Sequence, residues 1–246
     1  MNNPRPTIAL KVASGKPSPE VLAQLDKRWR WQYLMLAPHR LSFFLAMVVL
    51  VASAVWWLAV QVDRATGWWG LGYAQALALS PTLVHSTVMV LGFIPLYFAG
   101  FLFTAGPKWL GVDPLPVSAL RPVLFLQAGG WLLWLAGAHL GAPLALAGLL
   151  LACVGLGWMT AQFWGRVRLS QAEDQLHARA IATACVVGSL SAAGVALAMV
   201  WDSHALARVC VFTALWGFVV VVYVSVAHRM IPFFTSSAMP MVQAWR

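Results

Sequence analysis

"HSTVMVLGFIPLYFAGFLFTAGPKW", residues 85–109, opens on a histidine and runs through about twenty apolar or small positions before its first fixed charge, Lys108. At 1.5 Å of rise per residue, about twenty residues cross the ~30 Å hydrocarbon core of a bilayer. Inside lipid the backbone must satisfy its own hydrogen bonds, so such a run is a spanning α-helix. His85 then lies about one turn inside the membrane surface, as an interfacial side chain or as a ligand.

The rest of the chain agrees with that reading. Of 246 residues, 61% are hydrophobic and 9% are charged, and the mean hydropathy is +0.77. These values exclude a soluble globular domain and describe one polytopic, all-α membrane bundle. Cys153, Cys185 and Cys210 lie in apolar runs without CxxC spacing, so they act as small hydrophobes and imply no disulfide framework. The net charge of +9 is scattered at the ends of apolar runs. That pattern excludes nucleic acid and points to the lipid bilayer.

Six spans are expected at 41–61, 82–105, 121–139, 143–164, 178–201 and 207–227. Pro81, Pro122 and Pro143 each stand where a helix would begin. Of sixteen lysines and arginines, all but Arg64 and Arg208 fall on the side of the N-terminus. The positive-inside rule then puts both termini in the cytoplasm, and a bacterial cytoplasmic (inner) membrane is the expected location. Three segments follow: residues 1–40 as a tail with an interfacial amphipathic helix starting at Ser18, 41–228 as the six-helix domain, and 229–246 as a cytoplasmic C-terminal segment. No cleavable signal is evident, so the first span is expected to stay as an anchor. Most tryptophans, Trp56, Trp57, Trp68, Trp69, Trp109 and Trp164 among them, read as an interfacial belt.

No Asp, Glu, Lys or Arg lies well within an expected span, so histidines are the main ionisable groups at membrane depth. They form two layers. His39, His177 and His228 lie at the inner ends; His85, His139 and His204 lie toward the outer ends. A span is about 30 Å long, so no site can draw ligands from both layers. In the outer layer, His85 and Met89 are four apart and share a helix face, and imidazole with thioether suits haem iron or copper. The same residues also read as an interfacial histidine and an ordinary membrane methionine. In the inner layer, His228 and Arg229 precede "MIPFFT", where Pro232 predicts a turn. They form either a secondary ligand or anion site, or a basic helix end that complements the carbonyl dipole.

Residues 85–107 resemble the NnrS family of bacterial membrane proteins, whose helix begins HAHEMLFGF and continues through AGFLLTAVPNWTG. His85, Met89, Gly92, Phe93, Ala99, Gly100, Phe101, Leu102, Thr104, Ala105, Pro107, Trp109 and Gly111 stand at matching positions. "RMIPFFT", residues 229–235, is similar to the family's RxIPxFT. Thr87 and Val88 replace the family's second histidine and glutamate, and His228 stands where glycine is frequent. The resemblance implies a haem- and copper-containing protein of the nitric oxide response, of about twelve spans in typical members, so this chain is expected to be a fragment or a half-length variant. It carries over His85 as metal ligand and, with it, Met89.

The leading expectation is therefore a membrane-embedded haem, or copper, protein acting in the response to nitric oxide or nitrosative stress. His85 is the axial ligand, and the other axial position falls to His139, His204, Met89 or an open site. The alternatives are a small-molecule permease half or a non-catalytic membrane partner subunit. The small-residue face of the fifth span, "IATACVVGSLSAAGVALA", is expected to need covering by a second copy or by further C-terminal helices. Reporter fusions at Gly141 and at the C-terminus should report opposite sides of the membrane; the same side for both would overturn the span count.

Overall fold

The computed structural model describes residues 30–67 and 79–238. The tail with its helix start at Ser18, the Trp68–Trp69 pair and residues 239–246 lie outside the described residues. A short 3₁₀ helix, Trp31–Leu36, leads into the bundle. Six helices then follow that are long and apolar enough to cross a membrane: α1 Pro38–Thr66, α2 Pro81–Leu110, α3 Val117–Leu140, α4 Ala142–Leu169, α5 Leu176–Val200 and α6 His204–Pro232. Among the described residues there are no strands. The chain is an all-α, multi-pass bundle.

Local sequence explains most of the boundaries. Pro38, Pro81 and Pro143 occupy the first turns of α1, α2 and α4, where a missing N–H costs nothing. Gly67 and Gly111 end α1 and α2 at φ +59° and +64°, a left-handed conformation that suits glycine. Two proline expectations fail. α3 begins at Val117, so Pro122 lies inside it. The predicted turn at Pro232 is absent, because α6 continues through it to Ala238. A proline inside a helix forfeits one backbone bond, here the one to the His228 carbonyl. Ending the helix would leave a whole turn of carbonyls without partners.

Two helices are locally widened. α2 takes a π turn over Met89–Phe93, immediately before Pro95, whose missing N–H already interrupts the regular ladder. α6 takes another over Leu215–Val220. The two helices meet where Phe98 packs edge-on against Phe218, centroids 5.8 Å apart.

Small residues set the tightest seams. α3 and α4 meet so closely that a Cβ on Gly130 would lie 2.6 Å from the Gly148 carbonyl oxygen and the Ala152 nitrogen. A Cβ on Gly148 would likewise meet the Gly130 carbonyl oxygen, and one on Gly137 would run into the Ala145 backbone. On α5, Gly188 receives the Phe218 ring and Gly194 faces the Cys210 sulfur, both from α6. Thr160 of α4 is 3.0 Å from Ser189 and bonds the Cys185 carbonyl at 3.3 Å. The small-residue face of α5 is thus covered by α4 and α6 of the same chain, which removes that reason to expect a second copy or further helices over it.

The seam gives a direct test. Gly130→Val and Gly137→Val should each lower stability by about 1–3 kcal/mol, the cost of overpacking against rigid backbone. Gly129→Ala, on the open side of α3 with nothing within 4 Å, should be neutral or slightly stabilising. Melting of the detergent-solubilised variants checks the contrast.

Candidate functional site

The C-terminal half of α1 presents one continuous buried strip, Ser53, Trp56, Val60 and Asp63, at helical spacing. Trp57, half-buried, stands beside it. Adjacent helical residues diverge by about 100°, so the two tryptophans reach different helices. Trp57 lies flat on the His85 ring of α2, centroids 4.2 Å apart and planes within 7°. Trp56 donates its Nε1–H to Nε2 of His139 on α3 at 2.7 Å. Indole nitrogen is only a donor, so His139 must carry its own proton on Nδ1.

Arg64 stands over the Trp57 ring, 5.8 Å from its centroid. The result is a stack of guanidinium, indole and imidazole that runs from the end of α1 onto α2. The His85 Nδ1 is buried and has no hydrogen-bond partner among the described residues. One turn deeper, the Ser53 hydroxyl donates to the Met89 sulfur at 3.8 Å. The Met89 N–H bonds the carbonyls of His85 and Ser86 together as the π turn begins. On the far side, Trp134 of α3 donates to the Val84 carbonyl at 3.2 Å, which ties α3 to α2 beside His85.

One end of the bundle, the layer expected to be outer, therefore gathers His85, Met89 and His139 around α1. His204 stands apart, exposed at the start of α6. It borders a cavity of about 130 Å³ that Leu83, Ala142, Met199 and Asp202 also line. In the inner layer, Arg229 lies over Trp109, 5.4 Å from the ring centroid. His228 is exposed and meets His177 of α5, with Nε2 of His177 3.0 Å from Nδ1 of His228.

The family comparison covers almost all of this. The chain matches the NnrS protein family over residues 33–246, which include both the His85 helix and "RMIPFFT". It belongs to the NnrS family. No curated protein and no solved structure matches it. In this NnrS chain Thr87 is fully buried, and its hydroxyl has no partner among the described residues.

Haem and copper can be weighed against these donors. His85 fits a haem axial ligand, because stacking covers one ring face and leaves the in-plane lone pair unobstructed by Trp57, while its buried Nδ1 is unmatched. His139 does not fit as it stands, since its Nε2 lone pair is taken by Trp56. The cavity beside His204 is near the size that holds one benzene, far below a porphyrin, and His85 does not line it. Among the described residues no three His, Cys, Asp or Glu side chains converge on a metal position. His85 with Met89 offers two donors, one imidazole and one thioether.

Sequence reading did not find Trp56, Trp57 or Asp63 as parts of this layer. Trp56 and Trp57 read as belt residues, whereas Trp56 is buried and both hold histidines. The spacing of Ser53, Trp56, Val60 and Asp63 was the available signal. Trp56→Phe keeps the ring and deletes the donor, so it should cost about 1–2 kcal/mol by removing the bond to Nε2 of His139. Faster modification of His139 by diethyl pyrocarbonate, read by peptide mapping, would accompany the loss.

Proposed function

We propose that this NnrS-family chain is a multi-pass protein of the bacterial cytoplasmic membrane, with both termini inside, that binds haem through His85 at its outer end and acts in the response to nitric oxide. The single observation that carries the reading is the His85 imidazole, clamped on Trp57 with a buried unpaired Nδ1, inside the stretch that matches the NnrS family. Haem bound there would supply an iron that coordinates a small diatomic ligand.

The chain's own residues do the rest. Trp57 fixes the plane of the imidazole and so restricts the direction in which a lone pair can point. Arg64, over the Trp57 ring, places a positive charge where carboxylates at the headgroup layer would be attracted. Leu91 and Phe93, one of them buried and the other half-buried, keep water from following α2 inward. Copper is the second reading, carried by Met89, whose thioether sits one turn from His85 and suits a soft ion.

After haem-replete expression, the purified protein should show a Soret band. His85→Ala should abolish or strongly shift it, and His228→Ala should leave it intact. A wild-type protein without the band, or a band lost in His228→Ala alone, would overturn the assignment.

A further inference from the structure

We propose that His177 and His228 form a two-histidine site for a divalent ion of the zinc and nickel class, clasping the ends of α5 and α6 opposite the His85 layer. The pair joins two helices at positions 51 residues apart in sequence. Nε2 of His177 and Nδ1 of His228 are 3.0 Å apart, and the rings are nearly parallel, with centroids at 5.0 Å and planes within 20°. Two imidazole nitrogens on a tetrahedral zinc at 2.0–2.1 Å stand about 3.3 Å apart, so the nitrogens need separate by only a few tenths of an ångström, with the rings turned until both lone pairs converge on the ion.

The neighbouring cations are turned elsewhere. Arg179 donates through Nε to Gln175 at 3.2 Å, and Arg229 lies over Trp109. Pro232 removes the N–H that would bond the His228 carbonyl, which loosens the helix at that turn. His228 is exposed, so the ion can arrive from solvent and complete its coordination with water.

The proton balance is closed. In the metal-free pair one ring donates the N–H that lies between the two nitrogens. When the ion takes the lone pairs of His177 Nε2 and His228 Nδ1, that proton moves to the far nitrogen of the same ring, Nδ1 of His177 or Nε2 of His228. No proton is released from a neutral pair, and one is released where the pair is protonated. Nδ1 of His177 is buried with no partner among the described residues. It therefore lacks the outer acceptor that usually strengthens a ligating histidine, which keeps the site readily reversible.

The full chain, purified in detergent on a histidine-free tag, tests this with Zn²⁺ alone. Saturating zinc should raise the melting temperature by about 5 °C, reversed by chelator. His228→Gln and His177→Gln should each weaken zinc binding at least tenfold and lose the shift, while His85→Gln retains both. Because His228 is exposed, its variant keeps the test open should His177→Gln fail to fold. No shift in the wild type, an undiminished shift in His228→Gln, or a shift lost in His85→Gln would overturn the proposal.

Discussion

Hydrocarbon offers no water to the main chain, and that constraint explains more of this molecule than any single contact. Every peptide group at membrane depth must find its partner within its own helix, so interruptions are absorbed rather than allowed to end a helix. Pro95 follows a π turn, Pro122 sits one turn into α3, and Pro232 is passed over by α6. Side-chain hydroxyls serve the same economy: Ser42 bonds the Leu96 carbonyl and Thr104 bonds the Gly100 carbonyl, each placing a polar group on a carbonyl oxygen instead of in lipid.

The six spans could be read from length and apolarity because that constraint leaves few alternatives. Their ends could not. Asp63 and Arg64 remain helical in the last turn of α1, since charge is tolerated once a helix reaches the headgroup layer, and a hydropathy window stops short of them. The same extension hid Asp63, which lies outside the expected span and yet is buried on the strip of Trp56.

The candidate site was legible only along one helix. His85 and Met89 are four residues apart, a spacing visible in any sequence. What holds them comes from other helices. Trp56 and Trp57 are neighbours in the chain, yet one serves His139 and the other His85, and nothing in a linear pattern assigns them. His177 and His228 were sorted into the same layer by topology, but pairing them requires the rotation of α5 against α6, which is decided by Gly188 receiving Phe218. Belt-like composition misled for Trp56 because tryptophan at a helix end suits both an interface and a hydrogen-bonded core.

The π turn of α2 also sets the direction in which the start of that helix faces. One extra residue in a turn rotates everything before it by about 100° relative to everything after it. The outer half of α2, with His85, is therefore out of phase with the half that carries Ala99, Leu102 and Phe103 into the core. Such a turn carries one residue more than a regular turn while the packing on both sides is kept. The heading of His85 toward Trp57 is in that sense a property of chain length, stored in residues 89–93, as much as of the histidine itself.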